Sequence, residues 1–198
     1  MINEFIIVII GAFMCIGAFI YLEKLHRKGK FSPELLRRSA HIVSSLVASI
    51  FSIFLSQLFF VGALCFFFLI MVVSRRKGVF NHIHKVSRPT IGEELLPLGF
   101  VTSYLIAGGH QNIYLPAFLI VGCADPVTGI IMERYRNHFV GILVFFFIAI
   151  FILFFFKFPL VYIFIVATIA ALVERISGYG TDNLTVPTVI ALLLLLAK

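Results

Sequence analysis

The fold of this chain is decided by its longest apolar stretch, FVGILVFFFIAIFILFFFKFPLVYIFIVATIAALV, at residues 139–173. Lys157 carries the only charge within it. A helix that crosses the ~30 Å hydrocarbon core of a bilayer needs about 20 predominantly apolar residues. The stretch is therefore long enough for two spans, and Lys157-Phe158-Pro159 suits the turn between them because proline ends helices. We assign the spans to residues 139–156 and 159–173.

Apolar segments of this kind run through the whole chain, which is 61% hydrophobic and only 13% charged. Soluble domains are nearer half apolar and a quarter charged. We predict an all-α fold, a polytopic membrane helix bundle of about eight transmembrane segments, some short or broken. Residues 1–198 then form a single integral membrane domain. The predicted segments are 4–22, 39–56, 58–73, 96–108, 113–131, 139–156, 159–173 and 184–197.

The fourth segment, 96–108, is the weakest of these. Pro97 and Gly99 interrupt it, and Gly108-Gly109 end it. We expect a broken or re-entrant helix here, which a membrane protein tolerates where the backbone is buried in protein.

The basic residues predict the orientation of the bundle. Every Lys and Arg except Lys157 and Lys198 lies on alternate loops. Because cytoplasmic loops carry an excess of Lys and Arg, these loops are assigned to the cytoplasm and both termini to the outside. The net charge of +7 thus reflects topology, and no nucleic-acid partner is expected. Short loops and the absence of a targeting segment favour a prokaryotic plasma membrane.

The first polar motif is Glu34-Leu-Leu-Arg37-Arg38-Ser-Ala-His41. Ser32-Pro33 before it is typical of a helix start, with Ser32 as the N-cap. Arg37, Arg38 and His41 then share one face of the helix. Two guanidinium groups beside a histidine suit an anionic ligand such as a phosphate. The alternative is a pair of topology-setting arginines with an interfacial histidine.

The second polar motif is Arg88-Pro-Thr-Ile-Gly-Glu93-Glu94, at the mouth of the fourth segment. Thr90-x-x-Glu93 fits a capping box, which would explain Glu93 without a function. A capping box does not explain two adjacent acids together with an arginine. Glu93 therefore stays a candidate catalytic and metal-binding residue.

The third polar motif, Gly122-Cys-Ala-Asp125-Pro-Val-Thr-Gly129, lies within an apolar segment. Asp125 is eight residues before Glu133, or roughly 12 Å along a helix. A carboxylate at such depth costs about 3 kcal/mol on insertion scales, which marks it as a candidate functional residue. Gly122, Asp125 and Gly129 share a face, so a substrate or another backbone can approach closely. The alternative is a structural aspartate paired with an arginine.

The last polar positions are Glu174-Arg175 and Thr181-Asp182-Asn183. Asp182 could serve merely as the N-cap of the last helix. Together these five features bring carboxylates, arginines and a histidine to one side of the membrane. Carboxylates suit Mg²⁺, and arginines suit phosphate oxygens. The pattern predicts Mg²⁺-assisted phosphoryl or nucleotidyl transfer. The predicted metal ligands are Asp125, Glu93, Glu174 and Asp182, and the predicted phosphate contacts are Arg37, Arg38, Arg88 and Arg134.

These motifs, over residues 34–190, resemble the CTP-dependent polyprenol kinase family, which includes dolichol, phytol and farnesol kinases and is related to phosphatidate cytidylyltransferases. The resemblance implies a CTP-dependent kinase that phosphorylates a lipid (isoprenoid) alcohol, with Asn183 among the nucleotide contacts. Either Asp125 or His41 could then be the base for the alcohol. The matching stretches are Arg37-Arg38-x-x-His41, Arg88 with Gly92-Glu93, Leu96-Pro-Leu-Gly99, Ala124-Asp125-Pro126, and Glu174 with Asp182-Asn183-Leu-Thr-Val-Pro187.

One stretch departs from the family pattern. Relatives carry Gly-Arg-x-x-Gly and then Lys-Ser/Thr-x-Glu-Gly after the aspartate helix, whereas residues 132–141 here are shorter and lack that lysine and glutamate. Two alternatives therefore stay open. One is a cytidylyltransferase-like enzyme that makes a CDP-lipid, and the other is a non-catalytic relative that binds lipid or nucleotide.

Overall fold

The computed structural model describes residues 2–79 and 90–197. Each helix in these ranges overlaps one predicted span, and no strand occurs in them, so the predicted all-α bundle is confirmed. The helices are α1 (Ile2–Arg27), α2 (Pro33–Phe54), α3 (Gln57–Lys77), α4 (Gly92–Ile106), α5 (Gln111–Tyr135), α6 (His138–Phe155), α7 (Leu160–Ile176) and α8 (Asp182–Leu196).

Four helices, α1, α3, α5 and α6, are long and apolar enough to cross a membrane. This supports an integral membrane protein. α4 and α8 have 15 residues each, so they are only about 22 Å long. The turn predicted at Lys157-Phe158-Pro159 is confirmed, because α6 ends at Phe155 and α7 begins at Leu160.

The predicted interruption of the fourth segment is wrong. α4 runs without a break from Gly92 to Ile106, with Pro97 inside it. Pro97 lies near the start of the helix, where its missing N–H removes a single intrahelical hydrogen bond. The helix ends before Gly108 and Gly109, whose φ angles of 57° and 78° favour glycine.

The two short helices α4 and α8 pack closely against each other. Gly99 makes this possible, because a side chain there would collide with the Asn183 carbonyl and the Pro187 ring. Farther along the pair, the hydroxyl oxygens of Thr102 and Thr188 lie 2.7 Å apart. Next to this contact, the ring of Phe100 packs at a tilt against that of Phe118 on α5, with centroids 4.3 Å apart. α4 thus lies in the middle of the bundle and carries its first turn to the site described below.

Polar side chains meet at one end of the bundle, which we call the polar end. It is formed by the first turns of α2, α4 and α8 and the last turns of α3 and α5. The turn between α7 and α8 joins it, since the Ile91 N–H donates to the Tyr179 carbonyl over 3.0 Å. The predicted grouping of the charged motifs on one side is therefore present in the fold.

Candidate functional site

A buried histidine forms the centre of the polar end. His41 is 8% exposed, and the charged groups around it are Asp125, Arg37 and Glu93. Nδ1 of His41 lies 3.9 Å from Oδ2 of Asp125, and Nε of Arg37 lies 3.9 Å from Oε1 of Glu93. We call these four residues the polar cluster. It joins α2, α4 and α5 and contains all three predicted catalytic residues.

The start of α2 follows the sequence prediction. Ser32 caps the helix by accepting a hydrogen bond from the Leu35 N–H over 3.1 Å, and Pro33 takes the first helical position. With the register set in this way, Arg37 and His41 are one turn apart on the same face. Both side chains can therefore belong to the polar cluster.

The predicted close approach at Gly122 and Gly129 is confirmed, and the approaching group is α2 rather than a substrate. A side chain at Gly122 would collide with Ser45, and a Cβ at Gly129 would lie 2.6 Å from Cζ of Arg38. Asp125 lies between these two contacts on α5, as His41 lies between Ser45 and Arg38 on α2. The two glycines therefore let α2 come close enough for the carboxylate to face the imidazole.

Arg38 does not share the face of Arg37 as the sequence predicted, because it binds a different carboxylate. Its Nη2 donates to Oε1 of Glu133 over 2.6 Å, and its side chain is buried while that of Glu133 is half exposed. Arg38 therefore holds the first turns of α2 against the last turns of α5. In this structure it has a helix-packing role beside its predicted phosphate contact.

The predicted capping box at Thr90 and Glu93 is wrong. The hydroxyl of Thr90 accepts from the Gly92 N–H over 3.1 Å, and the cap position is Ile91, with no side-chain cap hydrogen bond. Because Glu93 does not cap its own helix, its carboxylate is available to pair with Arg37. Glu93 therefore stays a candidate catalytic and metal-binding residue.

Arg75 is a residue whose role the sequence did not indicate. Its Nη1 lies 3.0 Å from Oε1 of Glu94, and its Nη2 donates to the Thr90 carbonyl over 2.7 Å. It therefore ties the end of α3 to the start of α4. In the sequence it is only one of several basic loop residues, and no spacing links it to Glu94.

Asn183 and its neighbours occupy the start of α8. Asn183 is 2% exposed, and a Cβ at Gly92 would lie 2.6 Å from its Nδ2, so it packs on the first turn of α4. Asp182 is the first residue of α8 and Thr181 is the cap, so the N-cap alternative for Asp182 is wrong. Glu174 lies in the last turn of α7.

Two predicted phosphate contacts lie away from the polar cluster or beyond the described residues. Arg134 is exposed in the last turn of α5. Arg88 lies outside the described residues. The phosphate-binding roles predicted for both arginines therefore stay predictions.

The carboxylates give limited support for a metal ion. Mg²⁺ in phosphoryl-transfer sites is commonly held by one or two carboxylates, while waters and substrate phosphates complete its shell. Asp125 on α5 contacts His41, and Glu93 on α4 pairs with Arg37, so each can supply one carboxylate ligand from its own side of His41. Within residues 2–79 and 90–197 no three His, Cys, Asp or Glu side chains are grouped so as to hold a metal. Glu174 and Asp182 therefore do not complete a four-carboxylate site.

A small cavity opens beside the polar cluster, and we call it the polar cavity. Its volume is about 20 Å³, and Arg37, His41 and Glu93 line it together with Leu96 and other apolar residues. A volume of roughly 10–15 Å³ already holds one water. The cavity is therefore large enough for a single hydroxyl group and too small for a nucleotide. None of the described residues of α5 lines the cavity. Asp125 therefore contacts His41 on the side of the imidazole that faces away from the cavity.

Residues 132–141 include a tight turn between two helices. α5 ends at Tyr135, Arg136 adopts a left-handed conformation with φ 49°, and Asn137 caps α6 by accepting from the Phe139 N–H over 2.9 Å. Only two residues join the helices, and Gly141 packs directly on Met132.

Comparison with protein-family models, with curated proteins and with solved structures finds no match to this chain.

Proposed function

We propose that this protein is a membrane-embedded CTP-dependent kinase that phosphorylates a lipid (isoprenoid) alcohol. The proposal places the polar end at the cytoplasmic face of a prokaryotic plasma membrane, with both termini outside. One observation carries it: a buried histidine lies among an aspartate, a glutamate and an arginine inside an apolar bundle. Intramembrane ionisable groups are costly, and they mark functional sites by default.

The reaction assigns a role to each member of the polar cluster. The alcohol oxygen forms a bond to the γ-phosphorus of CTP, the bond from that phosphorus to the β–γ bridging oxygen breaks, and CDP leaves. The alcohol proton passes to His41, which lines the polar cavity, and Asp125 orients the imidazole and stabilises its protonated form. This follows the general-base chemistry of carboxylate–histidine pairs.

The phosphate groups are expected outside the polar cavity, because its volume of about 20 Å³ excludes a nucleotide. Arg37 lines that cavity, so its guanidinium group can contact the transferred phosphoryl group where the phosphate meets the alcohol oxygen. The remaining candidate contacts for the triphosphate are Arg38, Arg88, Arg134 and Asn183. Glu93, which lines the polar cavity, would hold Mg²⁺, which when bound supplies positive charge against the phosphate oxygens.

The test uses purified protein in lipid nanodiscs with Mg²⁺, CTP and a panel of isoprenoid alcohols. CTP is labelled in separate reactions at the γ- and the α-phosphorus. A kinase transfers only the γ-label to lipid, and CDP is released. Transfer of the α-label to a phosphatidate substrate, with pyrophosphate released, would instead establish the CDP-lipid alternative. No transfer of either label would refute both enzyme proposals.

A non-catalytic relative is the second candidate. The two-residue turn between α5 and α6 favours it, since that turn replaces the stretch in which relatives carry a lysine and a glutamate. The pairing of Arg37 and Arg38 with carboxylates is also what a purely structural role would require. This candidate predicts saturable binding of CTP or lipid alcohol without label transfer.

A further inference from the structure

A second cavity, which we call the apolar cavity, lies between α1, α2, α3 and α4. Its volume is about 100 Å³. The wall on α1 includes Ala12 and Cys15, and the wall on α3 includes Ala63 and Phe67. Its one hydroxyl group, on Ser44, donates to the Ala40 carbonyl over 2.9 Å within the same helix. The walls therefore present hydrocarbon rather than free hydrogen-bonding groups.

The apolar cavity lies directly beside the polar cavity. Ser44, Phe67 and Leu96 line both of them, so the two spaces share a wall of three side chains. On one side of this shared wall are His41, Arg37 and Glu93, and on the other only apolar groups and the satisfied Ser44. A molecule that fills both spaces must carry one polar atom at the end of an apolar chain.

The apolar cavity also has an outlet to the lipid-facing surface. Phe66 lines it and is 61% exposed. Phe66 belongs to α3, and the opposite wall belongs to α1, and both helices are long and apolar enough to span a membrane. A chain in the apolar cavity can therefore leave between these two helices into the bilayer.

The size of the apolar cavity limits its occupant. A dry apolar cavity of about 150 Å³ binds one benzene molecule. A volume of about 100 Å³ therefore takes a few carbons of one chain and excludes two chains side by side. The polar cavity of about 20 Å³ likewise admits one hydroxyl and not an esterified glycerol.

We propose that the apolar cavity binds the first carbons of a single aliphatic chain of the acceptor lipid. The terminal oxygen of this chain then lies beside His41. That this oxygen is the alcohol to be phosphorylated rests on the proposed function. The rest of the chain leaves past Phe66 into the bilayer. α1 and α3 thus form an acceptor site that is separate from the nucleotide side of the polar end.

The test is photolabelling of the nanodisc-embedded protein with an isoprenoid alcohol that carries a diazirine near its hydroxyl. No CTP is added, so the readout does not depend on turnover. We expect label on Ala12, Ala63 and Phe67, and at least a tenfold reduction by excess unlabelled alcohol. Phosphatidate and diacylglycerol should not compete. Competable label confined to other helices, or equal competition by diacylglycerol, would overturn the proposal.

Substitutions that fill the apolar cavity provide the matched control. Ala63→Phe should reduce the competable label at least tenfold, whereas Gly62→Phe should leave it within twofold. Gly62 is exposed and has open space beyond its Cβ position. If Ala63→Phe does not fold, Ala12→Leu fills the same space from α1, with Gly17→Leu as its control. Unchanged competable label in a folded filling variant would contradict the proposal.

The outcomes separate this inference from the proposed function. Competable label in the apolar cavity without any transfer from CTP would refute the kinase and leave the lipid site in place. Transfer from CTP in wild-type protein, with undiminished transfer in a folded Ala63→Phe variant, would refute the lipid site and leave the kinase in place.

Discussion

His41 on α2 and Asp125 on α5 face each other with 3.9 Å between Nδ1 and Oδ2, at a contact flanked on both sides by glycine. Gly122 precedes Asp125 by about one turn and meets Ser45, and Gly129 follows by about one turn and meets Arg38. The separation of imidazole and carboxylate is therefore set by how closely the two helices approach. Substitutions of the small residues beside the pair should therefore change the distance between imidazole and carboxylate as strongly as substitutions of the pair itself.

The first prediction concerns this approach. Gly122→Ala introduces a methyl group that collides with Ser45, whose Cβ belongs to a rigid part of α2. Overpacking of this kind costs about 1–3 kcal/mol. We expect a lower melting temperature by circular dichroism in detergent, and a lower rate of label transfer in the variant that remains folded.

Gly17→Ala is the control for that substitution. Gly17 is also within a helix but is exposed, with nothing near its Cβ position. Its melting temperature should equal or slightly exceed that of the wild type, because alanine favours the helix over glycine and meets no neighbour here. Equal melting temperatures for Gly122→Ala and the wild type would show that the α2–α5 contact is looser than described.

The second prediction concerns the tie between α3 and α4. Arg75→Ala removes the contacts to both Glu94 and the Thr90 carbonyl, while Glu94→Ala removes only one. Arg75→Ala should therefore destabilise the protein more than Glu94→Ala. Both side chains are partly exposed, so their coupling in a double-mutant cycle should be no more than about 1 kcal/mol. Strictly additive losses of stability would exclude a direct interaction.

The third prediction concerns orientation. Ser32 lies at the polar end and Gln57 at the opposite end of α2–α3, and both are exposed. Each is replaced by cysteine in a chain whose Cys15, Cys65 and Cys123 are changed to alanine. An impermeant maleimide applied to intact cells should label Gln57→Cys and not Ser32→Cys. The reverse pattern would place the polar end outside and contradict a site that uses cytoplasmic CTP.

The sequence predicted much of this architecture because hydrophobic length and charge position are local properties. The spans, the turn at Lys157 and the position of Asp125 within a helix follow from residues close together in the chain. The close approach at Gly122 and Gly129 was also predictable from helical spacing. These features depend on the residues that each helix contains. They depend little on which neighbouring helix each side chain faces.

The pairing of charges was not predictable in the same way. Arg37 and Arg38 are adjacent, yet Arg37 meets Glu93 on α4 and Arg38 meets Glu133 on α5. Successive residues point about 100° apart around a helix, so neighbours face different partners. The capping box failed for a related reason, since a tertiary partner for Glu93 replaced the local one.

The cavities were beyond sequence reasoning altogether. Four helices contribute to the walls of the apolar cavity, and no single segment carries a pattern for it. Cys15 and Ala63, for example, are ordinary small residues within apolar spans. Only the packed arrangement makes them part of one cavity that adjoins the cavity lined by His41.

The central claim is that Asp125 acts with His41 in phosphoryl transfer. Its most direct test is the rate of γ-label transfer from CTP to an isoprenoid alcohol in Asp125→Asn, which changes the charge with little change in shape. Glu4→Gln is the matched control, because Glu4 accepts from the Ser56 N–H at the far end of the bundle.

A general base and its orienting group contribute typically 10²–10⁴-fold to a rate. We therefore predict at least a hundredfold lower rate in Asp125→Asn, with helical content unchanged, and a rate within twofold of wild type in Glu4→Gln. Full transfer by a folded Asp125→Asn variant, or no transfer by the wild-type protein, would contradict the account.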